Sequence, residues 1–281
     1  MSARLIPNEI VKSTDGRLAC GSALTMLNGV CFNMQDVSSG CLFVPLKTDS
    51  RDGHLDIDKA LSNGAGGALC EGSSGKLTGL VKKWPLKIIV EVKDAYKSLQ
   101  NLACFWRHKI MAQTVIGTPG SEPILNLTAV MLKTKKNPLY LQTNKNMLHE
   151  TALRLLGLNA NHGWALIEMK QDCAETAEQL CEMCMPSIAV VTEDTPCARA
   201  LMKSLETPGV VLVPDDTTFP ADYKPRDGVR LIPCSAASSS EIQTGLPSDG
   251  IAALSQMCMA VALAKHLGLT PNEIQAGLDA S

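Results

Sequence analysis

Charge is sparse in this sequence. Asp, Glu, Lys and Arg together make up 19% of its 281 residues, and the formal net charge is −2. The basic residues gather into no dense stripe, which argues against nucleic acid as a partner. No apolar run reaches the length of a membrane span. Met1 to Gly21 lacks the hydrophobic core of a signal peptide and the arginine enrichment of a transit peptide, so a cytoplasmic location is expected. No segment repeats. The 11 cysteines are odd in number and irregular in spacing, and without a secretion signal they read as reduced, buried thiols. Cys181-x-x-Cys184 lies in a helix-like run, Cys173 to Met185, with no His nearby, so core packing is preferred to a metal or redox centre.

What is present is enough apolar material, 45%, to bury a core in one large or two ordinary domains. Leu5 to Leu18 reads as a short amphipathic helix that turns at Asp15-Gly16, Cys41 to Leu46 as a buried strand, and Ile57 to Asn63 as a helix stopped by Gly64. Strands over Ala68–Cys70 and Lys87–Val92 precede a helix capped by Asp94 that runs to about Ile110. The second half alternates in the same way. Helices are expected over Ile124–Lys133 and Met147–Leu156, and strands over Leu139–Leu141, Trp164–Met169, Ile188–Thr192 and Gly209–Val213. Asp222 to Asp249 reads as loop, with a flexible turn over Ser235–Ser240. An apolar helix follows over Ile251–Leu267, and Thr270-Pro271-Asn272-Glu273 is a capping box for a last helix. The pattern predicts an α/β fold: a small N-terminal α/β domain over 1–112, then a mostly parallel α/β sheet domain of the phosphate-loop type over 113–281.

Thr114 to Leu125 carries the most chemical information. It reads as a strand, a glycine loop with Gly117, Thr118 and Gly120, and a helix start, the geometry that cradles a phosphate. A working loop adds a Lys and a Ser or Thr after its last glycine. Here Ser121 and Glu122 stand there, Glu122 brings negative charge, and Pro123 lacks an N–H. The loop therefore reads as vestigial. Glu168 sits at the C-terminal end of a strand and is a candidate Mg²⁺ ligand, or else a solvated strand-end acid or a salt-bridge partner of Lys170. His149 and His162 have no carboxylate partner in sequence and read as surface or structural residues, and Lys133, Lys135 and Lys136 read as a solvated helix end.

In order along the chain, Gly40-Cys41-Leu42-Phe43-Val44-Pro45-Leu46, Asp52-Gly53-His54, Ala60-Leu61 with Asn63-Gly64-Ala65, Trp106-Arg107, the glycine loop, His149 to Leu155, Ala165 to Met169 and Leu263 to Leu278 form a series. That series resembles the Mur ligases of peptidoglycan synthesis, most closely the branch that adds D-alanyl-D-alanine to UDP-N-acetylmuramoyl-tripeptide. The resemblance implies a UDP-sugar-binding N-terminal domain, with Asp52, Gly53 and His54 at the substrate, and an ATP-binding central domain with Glu168 on the metal side. The alternative for Asp52 to His54 is a turn held by the Asp side chain. The family's C-terminal ligase domain is expected to be absent, since Ser281 falls about where it would begin.

The departures from the family are systematic. Its hydroxyl–Arg signature falls near Asn33-Met34-Gln35. No His lies between Glu193 and Arg199, the segment for a metal-assisting Lys is shortened between Thr192 and Gly209, and the base-contacting His-Asn pair falls near Ala252-Ala253. Two functions are therefore in play. One is a degenerate, non-catalytic Mur-ligase-like protein, a pseudoenzyme without catalytic residues or cofactor. It would act as a binding or structural subunit with a protein partner, a second copy or a UDP-sugar. The other is an active Mg-ATP-dependent amide ligase of the D-alanyl-D-alanine-adding type. A third, a protein working through its thiols, has no recognised redox spacing behind it. The surface around Gly117 to Gly120, Glu168 and the helix from Ile251 is expected to be the interaction face; Met257, Cys258, Met259 and Val261 make that helix apolar nearly all round, so some of it must be core and only part interface.

Overall fold

A computed structural model describes residues 3–48, 51–110, 114–143, 148–169, 174–215, 225–235 and 251–280. The chain divides into two compact units, Met1–Ile110 with Leu148–Asn159, and Met111–Met147 with Ala160–Ser281.

The first unit runs β1 (Arg4–Leu5), α1 (Pro7–Thr14), β2 (Arg17–Cys20), β3 (Leu27–Asn28), β4 (Val30–Cys31), β5 (Leu42–Phe43), β6 (Lys47–Thr48), β7 (Arg51–Asp52), α2 (Ile57–Ser62), β8 (Gly67–Glu71), α3 (Leu77–Lys83), β9 (Ile88–Val92) and α4 (Ala95–Lys109). Five of these strands form a sheet in the order β2-β9-β8-β5-β4, with β2 antiparallel and the rest parallel. Gly67 to Cys70 and Ile88 to Val90 are buried residue after residue, as strands covered on both faces must be. Ala68, Cys70 and Ile89 share a cluster with Ile57 and Leu61 of α2 and Leu80 of α3. α1 packs on β9, and α4 on β8. Asp94 caps α4, accepting the Lys97 N–H at 2.8 Å, as its position before an apolar run predicts.

The N-terminal helix ends at the Asp15-Gly16 turn that the sequence predicts, but Arg17 and Leu18 beyond it are strand rather than helix. The chain leaves α1 through Asp15, which takes a left-handed conformation with φ 51°. Arg17–Cys20 becomes an edge strand because β9 satisfies its backbone and Glu91 meets Arg17 at 2.6 Å. A second difference concerns α6 (Leu148–Leu155), which sequence order assigns to the second domain. It belongs to the first unit because it packs along α4. Trp106 Nε1 donates to the Leu158 carbonyl at 2.8 Å, and the Ala3 N–H to the Leu156 carbonyl at 2.8 Å.

The second unit contains β10 (Thr114–Thr118), α5 (Glu122–Leu132), β11 (Leu139–Thr143), β12 (Trp164–Met169), α7 (Ala174–Cys184), β13 (Ile188–Val190), α8 (Pro196–Lys203), β14 (Gly209–Pro214), β15 (Val229–Cys234), α9 (Ile251–His266) and α10 (Pro271–Asp279). Its six strands are all parallel, in the order β11-β12-β10-β13-β14-β15, which is a phosphate-loop type of sheet with β10 at its centre. β15 lies in a segment that reads as loop. Its largely exposed middle, between buried Val229 and Cys234, and Pro233 suit an edge strand, which carries little periodic signal. Residues 236–250, and with them most of the expected Ser235–Ser240 turn, lie outside the described residues.

The core of this unit joins Ile116, Leu166, Ile188, Val190, Val210 and Leu212 of the sheet to Ile124, Leu125, Met131 and Leu132 of α5. Met259, Val261 and Leu263 of α9 complete it. Part of the expected interaction face is core, while Met257 is half-buried. Cys258, Met259 and Val261 are buried because α9 is clasped by α5, α10, β14 and β15. Among the described residues no helix is long and apolar enough to cross a membrane.

Candidate functional site

The glycine loop of the second unit is three residues long, Pro119 to Ser121, between β10 and α5. Gly117 and Thr118 stand in the sheet ladder, opposite Ile167 and Glu168 of β12. Gly120 takes φ +86°, a conformation that Gly adopts freely. Its N–H is already spent on the Thr118 carbonyl at 3.1 Å. Pro119 and Pro123 have no N–H to offer. The Ser121 hydroxyl, at the expected lysine position, lies 3.1 Å from that of Thr192. Glu122 accepts a hydrogen bond from Gln142 Nε2 at 2.9 Å, which holds its carboxylate at the start of α5. Thr118 is fully buried, so its hydroxyl is not presented to a ligand.

Glu168 is also fully buried, in register with Thr118 on one side and Gln142 on the other. Lys170, its expected salt-bridge partner, lies outside the described residues. Among the described residues no group of three or more His, Cys, Asp or Glu side chains converges for a metal. Mg²⁺ tolerates one protein carboxylate where phosphate oxygens complete its shell. The residues here do not fit Mg-ATP, because the loop offers few backbone donors and no cation to hold those phosphates.

In the first unit, Asp52, Gly53 and His54 have three separate positions. His54 is buried. Its Nε2 accepts the Glu71 N–H at 3.3 Å, so its ring hydrogen sits on Nδ1 and is donated to Asp52 Oδ1 at 2.9 Å. Asp52 Oδ1 also accepts the His54 N–H at 3.0 Å. These two bonds, the backbone one foremost, hold the Asp52 carboxyl below its ordinary range. Glu71 in turn accepts the Ala95 N–H at 2.8 Å at the start of α4. Asp52 and His54 thus tie a turn to β8 and α4.

Gly53 faces a cavity of about 170 Å³. The cavity is also lined by Phe32, Asn33, Lys47, Arg51, Tyr96 and His149. The His149 ring meets Phe32 and Tyr96 edge-on at centroid distances of 5.4 and 5.6 Å. His149 Nδ1 is buried without a hydrogen-bond partner among the described residues. Arg51 is paired with Asp56 at 2.7 Å, and this partner raises the guanidinium further above its ordinary value. Burial pushes the Tyr96 phenol up. The sequence singles out Gly53 but leaves Phe32, Lys47, Arg51 and Tyr96 unmarked. They come from separate segments with no shared spacing, and only the fold gathers them. His149 reads as a surface or structural residue in sequence and reaches this cavity because α6 docks on the first unit. His162 and Lys133 have no part in it, while Lys135 and Lys136 clamp the carbonyls of Gly268 and Ala160. Cys181 is buried against Met169 Sδ at 3.9 Å, and burial pushes its thiol up to about 12.

No family model matches the chain. Among curated proteins, it is 30% identical over 148 residues to the UDP-N-acetylmuramoyl-tripeptide--D-alanyl-D-alanine ligase of Escherichia coli, covering 51% of this chain and 30% of that protein. It is 23% identical over 205 residues to the enzyme of the same name from Buchnera aphidicola, covering 70% and 43%. The chain therefore spans less than half the length of these relatives. Among solved structures, MurF from Acinetobacter baumannii superposes with a TM-score of 0.76 at 18% identity, over 100% of this chain and 69% of that one. MurF ligase from Thermotoga maritima in complex with ADP gives 0.62 at 18% identity, over 86% and 64%.

Proposed function

We propose that this chain, a Mur ligase homologue of the MurF type over part of those proteins' length, is a binding protein that does not catalyse ligation. The observation that carries the reading is the loop after β10. Across positions 118–123 two residues are prolines and one glycine N–H is internally bonded, so the backbone offers few donors to a triphosphate. Ser121 supplies no cation and Glu122 adds an anion. A like charge about 4 Å from a phosphate costs about 1 kcal/mol in water and about 4 kcal/mol at an effective dielectric near 20. A ligase that activates a carboxylate with ATP needs the opposite sign at that point.

The first unit supports the binding half of the reading. Its cavity combines aromatic walls from Phe32 and Tyr96 with Lys47, the Arg51–Asp56 pair and His149 Nδ1, which has no hydrogen-bond partner among the described residues. That chemistry suits a small anionic, ring-bearing ligand such as a fragment of a UDP-sugar. An interaction role, through a protein partner or a second copy, and a cytoplasmic location belong to the same reading.

The test is a pair of calorimetric titrations of the whole chain, with Mg-ATP and with UDP-N-acetylmuramoyl-peptide. No heat is expected from Mg-ATP at nucleotide concentrations on the order of millimolar, the weak end of specific binding. Saturable Mg-ATP binding with amide formation would overturn the reading. Silence with both ligands would leave only the interaction role, which light scattering on the purified chain and on native extract decides.

A further inference from the structure

The first unit holds a pair of thiols that the site above does not use. The sulfurs of Cys31 and Cys41 lie 3.4 Å apart, within reach of an S–H···S hydrogen bond. Their exposures are 3% and 1%. Cys31 ends β4, and its register partner on β5 is Phe43, so Cys41, two residues before Phe43, points to the same face of the sheet. Other thiols of this unit are engaged differently: Cys20 donates to the Lys87 carbonyl and Cys70 faces the Ser74 hydroxyl.

The shared hydrogen makes the two sulfurs unequal. The Cys31 bond lowers the Cys41 thiol to about 6, while the same bond and burial hold Cys31 above its ordinary range. A thiolate with a second thiol at contact distance is the arrangement that captures a sulfenic acid before further oxidation.

We propose that Cys31 and Cys41 are an oxidisable dithiol that closes to a disulfide when a hydroperoxide reaches it, a reversible redox switch beside the cavity of the first unit. The Cys41 thiolate attacks the peroxide and the O–O bond breaks. With one proton from solvent this gives Cys41 sulfenic acid and water, or an alcohol from an organic peroxide. Cys31 sulfur then attacks the sulfenic sulfur. Its S–H proton leaves with the hydroxide as a second water, and the S–S bond forms. The two sulfurs lose two electrons and the peroxide gains them. A dithiol reductant reverses the change by thiol–disulfide exchange. The sulfurs must approach to about 2.05 Å. β4 is a two-residue edge strand, so it can yield. Phe32 follows directly and meets His149 edge-on, so the movement reaches the cavity lining. The burial of both sulfurs favours a small uncharged peroxide over a bulky one as the oxidant.

The experiment treats the whole reduced chain with hydrogen peroxide, blocks remaining thiols under denaturing conditions, and cleaves before Asp36, which separates Cys31 from Cys41. The expected result is one pair of fragments joined through Cys31 and Cys41 that parts on reduction. The Cys31→Ser chain should instead yield Cys41 sulfenic acid, trapped by a dione reagent. The natural chain decides the matter even if the variant fails to fold. Full alkylation of both cysteines, sulfinic or sulfonic acid at Cys41 without a cross-link, or a link from either to Cys20 would each overturn the proposal.

Discussion

At the scale of single residues, Gly53 and Asp52 make opposite kinds of contribution. A Cβ on Gly53 would lie 2.7 Å from the Leu46 carbonyl oxygen and 2.9 Å from its nitrogen, so no side-chain motion relieves it. Gly53→Ala is expected to cost about 2 kcal/mol, in the upper part of the ordinary mutational range, read by urea unfolding. An unchanged midpoint would show that the β6–β7 turn yields freely. Asp52 is an electrostatic case. Its folded value lies below the ordinary 3.8, so its stabilisation is complete above that unfolded value and is lost as pH falls through the folded one. The side chain is 41% exposed, so the effect is modest. Asp52→Asn should lower the thermal midpoint at neutral pH, and the gap to the natural chain should close in strong acid. A gap that stays constant into acid would exclude the carboxylate as its source.

At the scale of elements, α10 and α6 show two ways of fixing a helix. For α10, Thr270 Oγ1 accepts the Glu273 N–H at 3.3 Å while Glu273 Oε2 accepts the Thr270 N–H at 2.7 Å. Thr270→Ala removes the N-cap acceptor and is expected to cost about 1 kcal/mol, measured by chemical denaturation. For α6, the fixing is tertiary. Trp106→Phe keeps most of the buried ring and deletes the hydrogen bond to Leu158. About 1–3 kcal/mol should be lost, because a buried carbonyl is left without its partner. Amide exchange should accelerate first over 148–158. Uniform acceleration across the first unit would mean instead that α6 and α4 open together.

At the scale of the whole molecule, the chain passes between its two units at 110/111, 147/148 and 159/160. A fragment of residues 1–112 therefore lacks the carbonyls that receive Ala3 N–H and Trp106 Nε1–H. We expect that fragment to melt earlier than the first unit does in the full chain, and a synthetic peptide of residues 148–159 to restore part of the difference. Identical melting with and without the peptide would sink the assignment of α6. In the second unit, Met259 is fully buried. Met259→Glu should abolish cooperative unfolding of that unit, because a carboxylate would be enclosed there unpaired. A folded, non-associating variant would return Met259 to an interface.

The sequence by itself determined what depends on neighbours along the chain. Alternation of apolar runs with glycine stops foretold the parallel sheet of the second unit. Asp94, Pro271 and the Thr270–Glu273 box marked helix starts, since capping is a local hydrogen bond. The reading of Ser121, Glu122 and Pro123 as a damaged phosphate loop draws on side-chain type alone, since that sets the charge there. Tertiary structure decided whatever needs partners distant in sequence. Arg17–Cys20 is a strand because β9 lies beside it, and Val229–Cys234 because β14 does. His54 is spent on Asp52 and Glu71, a choice invisible in Asp-Gly-His alone. Phe32, Tyr96 and His149 meet at one cavity, and Cys31 meets Cys41, only because strand pairing and the docking of α6 close those distances. A pattern of side chains fixes local conformation; which surfaces then face one another is set by burial, and burial is a property of the folded chain.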